Sequence, residues 1–278
     1  MISYKCCNQV DKSMIYQAFT DGFSDYMIKF KITEQQFFDL FFGPEGNNLD
    51  YSYVAYEDDK GVGLVLGGIR EFDGLKTMRC GTMCVSPSYR SKGIAKELME
   101  LHKAKAIKEN CKQLFLEVIV GNDKAVNLYE KLGYNKVYNI SYYTKDEFEW
   151  LDDADTREVE DIEFDELKKF RNTFAGTHIN WQNEMDFIEK TKAKCYGLRK
   201  NKELIGAIST LNDAILFIGV KKEFRSRGIA KKLIKTIISK DTNKIRISFS
   251  NNSSLDGYLR KMKFEKDKLS QYEMYKYL

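Results

Sequence analysis

Two segments of the chain repeat one arrangement of basic residues around a glycine. The first consists of Arg90, Ser91, Lys92, Gly93, Ile94 and Ala95, and the second of Arg225, Ser226, Arg227, Gly228, Ile229 and Ala230. Each follows an apolar, strand-like run and opens a helical pattern. The first N–H groups of a helix lack intrahelical partners and carry partial positive charge, and a glycine lets a phosphate approach them closely. These residue types therefore favour the binding of a diphosphate.

A simpler interpretation of either segment is a tight strand-to-helix turn with solvated basic neighbours. Two copies in the same strand–turn–helix context favour the phosphate site instead. Other phosphate motifs fail, because the chain has no GxxxxGK[ST] sequence. The glycines of residues 61–67 continue as a strand rather than opening a helix, which indicates a hairpin.

The repeat extends beyond the turn and predicts two domains. Residues 85–96 recur as 220–231, about half the chain length later, and both copies continue with a helix, a strand and a short helix. The front halves each show two helical stretches, the first pair near residues 12–23 and 33–42, followed by two strands. This order predicts an α+β fold with domains over residues 1–150 and 157–278. The acidic residues 152–155 read as the linker.

Composition excludes several classes of function. The chain is 43% hydrophobic and 31% charged, which is typical of a soluble globular protein. It has neither a membrane-spanning apolar stretch nor a signal-peptide core, so we expect a cytoplasmic location and no membrane partner. A net charge of +4 with dispersed lysines gives no reason to expect nucleic acid. Six cysteines without zinc spacing and two histidines predict no metal site.

These motifs resemble those of the GNAT acetyltransferase superfamily. Its coenzyme A loop reads V-x-P followed by [RQ]-x-x-G-x-[GA], and later family motifs read L-x-V, N-x-x-A and L-Y-x-K-x-G-[FY]. In this chain they are Val85-Ser86-Pro87 with residues 90–95, then Leu116-Glu117-Val118, then Asn122 with Ala125, and finally residues 128–134. The resemblance covers about residues 2–145, and about 157–278 mainly through the phosphate loop. It identifies the chain as a tandem two-domain member.

The resemblance implies a fold and a cosubstrate. Each domain would have a central mixed, mostly antiparallel sheet flanked by helices, with its fourth and fifth strands splayed apart. Acetyl-coenzyme A would enter that cleft, its pantetheine arm pairing with the edge of strand four like an extra strand. The cofactor-binding residues carried over are those of both turns together with Cys84, Val85, Asn122 and Val220. Asn122 would hold the pantetheine arm.

Acetyl transfer from a thioester to an amine needs a neutral amine, a stabilised oxyanion and a hydrogen bond or proton for the leaving thiolate. The family places Tyr129 near the thioester sulfur, where its hydroxyl would serve the thiolate. The alternative is an aromatic core residue of a short helix. A backbone N–H of strand four near Val85 would meet the oxyanion. An acetyl-enzyme on Cys84 is disfavoured, because nothing supplies a partner histidine.

Glu117 is the candidate base, since it is the only charge in the apolar run of residues 114–120. Burial would raise the pKa of its carboxyl toward a useful range. In ribosomal-protein N-terminal acetyltransferases of the superfamily a strand-five glutamate stands twelve residues before the tyrosine, the spacing from Glu117 to Tyr129. The alternative is a glutamate that only orients the amine, with a water chain as base.

The second copy departs from the family pattern. Alignment places Ile247 at the position of Glu117 and Leu259 at that of Tyr129, while Tyr258 falls one position early. We therefore expect the first domain to catalyse N-acetylation of a primary amine by direct transfer, and the second to keep only its phosphate site. A non-catalytic acyl-coenzyme A sensor is the alternative function. A third hypothesis gives the second domain a structural role, as a wall of the cleft or a dimer contact.

The acceptor stays open at this stage. Acidic residues in and after the first helices would favour a cationic amine, but a solvated helix face explains them equally well; they are Asp21, Asp25, Glu34 and Asp39. Aminoglycosides, polyamines, amino acids and protein N-termini all fit, so the partner is a small-molecule or peptide amine. The sequence does not indicate an oligomeric state.

Overall fold

The computed structural model describes residues 1–151, 153–174, 176–238, 242 and 244–278. Residue 152, the first of the predicted acidic linker, lies outside the described residues. The chain divides into two compact units. The first comprises Met1–Tyr138 and Gln271–Leu278, and the second comprises Asn139–Ser270. Within the described ranges, no helix combines the length and apolar character needed to cross a bilayer.

The elements of the first half follow the predicted order. In sequence they are β1 Ser3–Cys6, α1 Lys12–Gly22, α2 Glu34–Phe41, β2 Asn48–Glu57, β3 Lys60–Phe72, β4 Leu75–Val85, α3 Ile94–Lys108, β5 Gln113–Ile119, α4 Asp123–Lys131 and β6 Asn135–Lys145. Helix α2 begins after a capping box, in which Thr33 Oγ1 accepts from the Gln36 N–H at 3.2 Å and Gln36 Oε1 accepts from the Thr33 N–H at 2.8 Å. This local signal explains why the start of α2 could be predicted to within one residue.

The second half repeats this series. Its elements are β7 Val159–Asp161, α5 Phe164–Asn172, α6 Met185–Thr191, β8 Lys194–Lys200, β9 Glu203–Leu211, β10 Ala214–Val220, α7 Ile229–Thr236, β11 Ile245–Ser250, α8 Ser253–Lys261 and β12 Glu265–Tyr277. Strands of the first unit lie in the order β1-β2-β3-β4-β5-β12, and those of the second in the order β6-β11-β10-β9-β8-β7. Helices pack on both faces of the first unit's sheet in two apolar clusters, with α3 and α4 in one and α1 and α2 in the other.

Strands β4 and β5 are parallel and separate partway along. Their pairing ends at Cys80 and Leu116, although β4 continues to Val85 and β5 to Ile119. A β-bulge lies at the point of separation, because Gly81 has no partner on β3. A Cβ at Gly81 would lie 2.2 Å from Asn47 Oδ1, so a side chain there would require the Asn47 amide to move. The predicted splay of the fourth and fifth strands is confirmed.

The second unit splays in the same way. Parallel strands β10 and β11 pair only at Ala214 with Arg246 and at Ile215 with Ile247. The β10–β9 register shifts immediately afterwards, between Ile215 and Phe217. The predicted α+β class, with two similar domains built on mixed, mostly antiparallel sheets, is thus confirmed.

The predicted domains place β6 in the first domain and β12 in the second. In the structure, β6 pairs with a strand of the second half and β12 with a strand of the first half. Strand β12 pairs antiparallel with β5, from Gln271 opposite Ile119 to Tyr277 opposite Gln113. Strand β6 pairs antiparallel with β11. The compact units therefore differ from the ranges 1–150 and 157–278 in their final strands. An amphipathic pattern locates a strand but does not specify which of two similar edges it joins.

Candidate active site

The turn before α3 has the geometry of an anion cradle. Ser91 and Gly93 both have left-handed φ values, +63° and +83°. Within the described chain, the N–H groups of residues 91–95 donate no hydrogen bond, and the first helical bond runs from the Glu97 N–H to Gly93 O at 3.1 Å. A Cβ on Gly93 would meet no atom within 4 Å. Glycine is therefore favoured here by the positive φ and not by a lack of room for a side chain. The space beside the N–H groups is open to a ligand.

The turn before α7 reproduces this geometry. Ser226 has φ +61° and Gly228 has φ +76°. The first helical bond again runs to the glycine, from the Lys232 N–H to Gly228 O at 3.0 Å. As far as the structure describes the chain, the N–H groups of residues 226–230 also donate no hydrogen bond. The sequence repeat is thus a repeat of backbone conformation.

Arg90 has a different role from its neighbours in the cradle. Its backbone N–H donates to Pro87 O at 3.4 Å, so the predicted cradle of residues 90–95 begins one residue later in the structure. Its guanidinium donates to both Asp25 carboxylate oxygens, at 2.6 and 2.7 Å, and to Gly22 O at 3.2 Å. Arg90 Nε donates to Val85 O at 3.0 Å. Arg90 therefore braces the end of α1 against β4.

Arg225 keeps only part of this bracing. Its Nε donates to Val220 O at 3.1 Å, as Arg90 Nε does to Val85 O. Among the residues that the structure describes, no carboxylate pairs with Arg225. The two predicted cradles therefore share their backbone but differ in how the arginine is held.

Cys84 lies on β4 with its thiol turned into the core. Its Sγ donates to Ala18 O at 3.5 Å, and burial raises the pKa of the thiol to about 12. A thiol held protonated is a poor nucleophile, so the structure disfavours an acetyl-enzyme on Cys84. The backbone of Cys84 and Val85 belongs to the part of β4 that extends beyond the last pair with β5.

Asn122 and Tyr129 both belong to α4. The side chain of Asn122 caps the helix, accepting from the Ala125 N–H at 3.4 Å. Tyr129 is 6% exposed, in the apolar cluster that also contains Val85. Burial raises the pKa of Tyr129 well above its ordinary value. Its hydroxyl therefore stays protonated and can donate a hydrogen bond.

Glu117 follows the last β4–β5 pair by one residue. Its side chain is 4% exposed, and its Oε2 accepts from Arg79 Nη2 at 2.6 Å and from Arg79 Nε at 3.1 Å. Its Oε1 is buried and accepts no hydrogen bond from any described residue. Arg79 Nη1 also donates to Glu45 Oε2, at 2.7 Å. One carboxylate oxygen is anchored, and the other is available to a proton donor.

Burial is the largest cause of the raised pKa of Glu117. The Arg79 guanidinium opposes this effect, while the carboxylates of Glu273 and Glu45 add to it. Sequence reasoning missed Arg79, Glu45 and Glu273. Arg79 could have been singled out as the only charged residue in 77–85. Its pairing with Glu117, however, depends on a strand register that the sequence does not give.

The structure corrects the position that matches Glu117 in the second unit. Ile247 forms the last β10–β11 pair and packs in the apolar core beside Leu233 of α7, as Leu116 packs in the cluster of α3. The residue after that last pair is Ser248. Because side chains alternate along a strand, a shift of one residue moves the side chain to the opposite face. Ser248, and not Ile247, is the counterpart of Glu117.

The edge of β11 beside this serine has an internal partner. The Arg246 N–H donates at 2.8 Å to the carbonyl of Asp213, the residue before β10. Backbone groups two residues apart on a strand point to the same edge, so the N–H and C=O of Ser248 also point toward the β10 side. The Ser248 carbonyl accepts from Asn183 Nδ2 at 2.8 Å. Asn183 belongs to the short 3-10 helix Trp181–Asn183, which thus covers part of the second splay.

Leu259 takes the place predicted for it. Asn252 caps α8 by accepting from the Leu255 N–H at 3.0 Å, as Asn122 caps α4. Leu259 is the seventh residue after its cap, and Tyr129 is likewise the seventh after Asn122. The hydroxyl of Tyr258 is buried and, among described residues, has no hydrogen-bond partner. Burial raises the pKa of Tyr258 to about 12. The second unit therefore has neither a carboxylate nor a tyrosine at the two equivalent positions.

Both halves of the chain match acetyltransferase family models. Residues 13–134 match the model described as the acetyltransferase (GNAT) family, and residues 153–273 match one described as an acetyltransferase (GNAT) domain. Among curated proteins, N-alpha-acetyltransferase 30 of Saccharomyces cerevisiae is 30% identical over 100 residues, which are 34% of this chain and 57% of that protein. The N-alpha-acetyltransferase of Saccharolobus solfataricus is 36% identical over 104 residues, covering 34% and 62%. The chain thus spans about three fifths of the length of these relatives.

Solved structures share the fold over the whole chain. A tandem GNAT protein from the clavulanic acid biosynthesis pathway has a TM-score of 0.70 at 14% identity, with 100% of this chain and 98% of that one covered. A GCN5-related N-acetyltransferase from Sphaerobacter thermophilus has a TM-score of 0.66 at 12% identity, with 100% and 95% covered.

Proposed function

This chain belongs to the GNAT acetyltransferase superfamily as a tandem two-domain member, and from that premise we propose that its first unit transfers an acetyl group from acetyl-coenzyme A directly to a primary amine. The observation that carries the proposal is the set of groups around the β4–β5 splay. An open anion cradle, a buried protonated tyrosine and a carboxylate with one unsatisfied oxygen all belong to the first unit. Each answers one requirement of the reaction.

The cosubstrate fits the residues present. The N–H groups of residues 91–95 bind its diphosphate, since they have no protein partner among the described residues and nothing lies within 4 Å of the Cβ position of Gly93. The edge of β4 at Cys84 and Val85 offers backbone groups to the amides of the pantetheine arm. Asn122 lies at the start of α4 to hold that arm.

In the transfer step the amine nitrogen forms a bond to the acetyl carbon, and the bond from that carbon to sulfur breaks. Glu117 Oε1 accepts the proton that the amine must lose. A β4 N–H near Val85 stabilises the oxyanion. The Tyr129 hydroxyl donates to the departing thiolate, because its raised pKa keeps it protonated. Arg79 holds the Glu117 carboxylate in place through its other oxygen.

The second unit keeps a cradle but has lost these groups. Ser248 and Leu259 stand where a carboxylate and a tyrosine are needed, and Asn183 occupies the β11 edge. We assign this unit binding without catalysis. The whole chain acting as an acyl-coenzyme A sensor is the competing function, and the groups of the first unit argue against it.

The acceptor we propose is the α-amine of a peptide, encountered in the cytoplasm. The support is the identity to proteins named N-alpha-acetyltransferases, which the chain matches over 34% of its length. A panel of peptides, polyamines, aminoglycosides and amino acids, followed by mass spectrometry of the acceptor and by release of free coenzyme A, tests both proposals. Acetylation of peptides above the other amines is the expected result. Binding of acetyl-coenzyme A without acetylation of any amine would favour the sensor.

A further inference from the structure

Asn47 brings a second unsatisfied oxygen to the start of the β4–β5 splay. The residue is only 5% exposed. A Cβ on Gly81 would lie 2.2 Å from Asn47 Oδ1, so this oxygen lies against the Gly81 backbone. Gly81 follows the last β4–β5 pair on one strand, and Glu117 follows it on the other. Because paired strands lie about 4.8 Å apart, these two residues stand side by side where the cleft begins.

Contacts place Asn47 and Glu117 on the same face of the sheet. Arg79 Nη2 donates to Glu117 Oε2 at 2.6 Å, and Arg79 Nη1 donates to Glu45 Oε2 at 2.7 Å. Glu45 stands two residues before Asn47, in the loop between α2 and β2. Since one guanidinium reaches both carboxylates, this loop covers the face from which the Glu117 carboxyl projects.

The side-chain amide of Asn47 has a defined orientation. Its Nδ2 donates to the Phe41 carbonyl at 2.8 Å, and its backbone N–H donates to the same carbonyl at 3.1 Å. Phe41 is the last residue of α2, so a helix-capping role explains the amide nitrogen. It does not explain the amide oxygen, which is buried and has no hydrogen-bond partner within the described part of the chain. A flipped amide would turn this oxygen toward the Phe41 carbonyl, so the flip is disfavoured.

The two orphan atoms, Asn47 Oδ1 and Glu117 Oε1, are both acceptors. Both are buried, and neither receives a hydrogen bond from any residue that the structure describes. A buried acceptor left without a donor costs free energy, so a ligand that supplies two donors is favoured here. A neutral primary amine has two N–H groups and a lone pair, whereas a neutral secondary amine has only one N–H. The two oxygens are therefore complementary to a primary amine.

We propose that Asn47 is an acceptor-binding residue of the first unit: its Oδ1 accepts one N–H of a neutral primary amine while Glu117 Oε1 accepts the other. This inference rests on the proposed function. As the nitrogen bonds to the acetyl carbon and the carbon–sulfur bond breaks, one proton passes to Glu117. The N–H that remains on the product amide stays bonded to Asn47. Holding both N–H groups directs the lone pair away from the two oxygens. Since both oxygens are buried, the amine reaches them only when the side chains that cover them shift.

The test is the ratio of kcat/KM for two acceptors of the full chain, a peptide that begins with glycine and the same peptide beginning with N-methylglycine. The wild type should prefer the glycine peptide by at least about tenfold, because a buried acceptor rejects an analogue that lacks the donor. Asn47→Ala should lower this ratio by about tenfold, mainly through a loss of kcat/KM for the glycine peptide. Asn48→Ala is the matched control and should keep the ratio, since Asn48 is exposed and its Oδ1 accepts from the Asp50 N–H at 2.8 Å.

A purely structural role of Asn47 leads to a different result. Loss of the bond to Phe41 alone would lower kcat/KM for both peptides equally, and the unchanged ratio would overturn the proposal. For the case in which Asn47→Ala does not fold, Gly81→Ala is the second variant, because its Cβ would displace the Asn47 amide while the asparagine is kept. Gly81→Ala should also lower the ratio, and a wild-type ratio there would count against the proposal. Equal use of the two peptides by the wild type would overturn it as well.

The outcomes also distinguish this inference from the proposed function. If the wild type acetylates neither peptide, the peptide acceptor has failed, and the role of Asn47 fails with it. If the wild type acetylates the glycine peptide and Asn47→Ala keeps the ratio, only the role of Asn47 has failed. If Glu117→Gln keeps wild-type activity, the base assignment has failed, and the pairing of its carboxylate with Asn47 is refuted too.

Discussion

Tyr129 and Leu259 occupy the same position of two equivalent helices, each the seventh residue after an asparagine that caps its helix. Both side chains are buried, at 6% and 1% exposure. The two units thus keep the same packing at this point, while only the first keeps a hydroxyl.

Tyr129→Phe should lower kcat by about 10²–10⁴-fold and leave the Kd of acetyl-coenzyme A nearly unchanged. The hydroxyl acts only as the thiolate departs, whereas the ring fills the same space. Steady-state kinetics and calorimetry measure the two quantities. Tyr134→Phe is the matched control, since its ring centroid lies 6.0 Å from that of Tyr129 and its buried hydroxyl has no partner among the described residues. Equal losses in both variants would assign the effect to packing.

Gly93→Asp should weaken acetyl-coenzyme A binding by at least about tenfold. The substitution strains a left-handed backbone position and places negative charge in front of the cradle N–H groups. Gly74→Asp is the control, because Gly74 is also at positive φ, +75°, and a Cβ there would also meet nothing within 4 Å. Calorimetry on both variants separates strain from the loss of a ligand site. Unchanged affinity at Gly93→Asp would remove the cradle from the binding site.

Arg79→Ala should destabilise the protein by about 3–5 kcal/mol, since it leaves the buried carboxylate of Glu117 and the half-buried carboxylate of Glu45 without their shared cation. Arg90→Ala breaks an exposed pair with Asp25, with side chains 43% and 51% exposed, together with hydrogen bonds to Val85 O and Gly22 O, and should destabilise the protein much less than Arg79→Ala does. Urea denaturation of both variants makes the comparison. Similar losses would mean that the buried cluster does not depend on Arg79.

His102 should make stability depend on pH. It is fully buried in α3, both ring nitrogens lack partners among the described residues, and burial lowers its pKa to about 4. The unfolded chain binds a proton with a pKa near 6.5, so the stability due to neutral His102 is present above that pH and is lost as the pH falls toward 4, by about 3 kcal/mol. Urea denaturation of His102→Leu should show a flatter dependence between these pH values than His178→Gln, the control.

Local signals predicted much of the fold and the candidate site, and non-local pairing accounts for what they missed. The glycine turns, the α2 cap and the Asn122 cap each depend on residues within one turn of chain, so the sequence contains the whole signal. The match of Ile247 to Glu117 was wrong because an alignment anchored on the end of the short helix ignores a one-residue difference in strand register. Glu273 was missed because nothing in the sequence specifies that β12 pairs with β5.

The last prediction concerns how the two units divide their work. Both have the cradle, but only the first has Glu117 and Tyr129. Arg225→Ala combined with Gly228→Asp should therefore change turnover by less than about twofold. Arg90→Ala combined with Gly93→Asp should reduce acetylation to the background rate.

Steady-state acetylation by both double variants, after circular dichroism confirms that each is folded, decides the matter. Calorimetry adds an independent count, with two binding events in the wild type and one in each variant. An inactive second-unit variant beside an active first-unit variant would reverse the assignment. Equal partial losses would instead mean that both units catalyse, with Tyr258 reaching the thioester although it stands one residue before the equivalent of Tyr129. Because one residue on a helix rotates a side chain by about 100°, we expect that outcome to be absent.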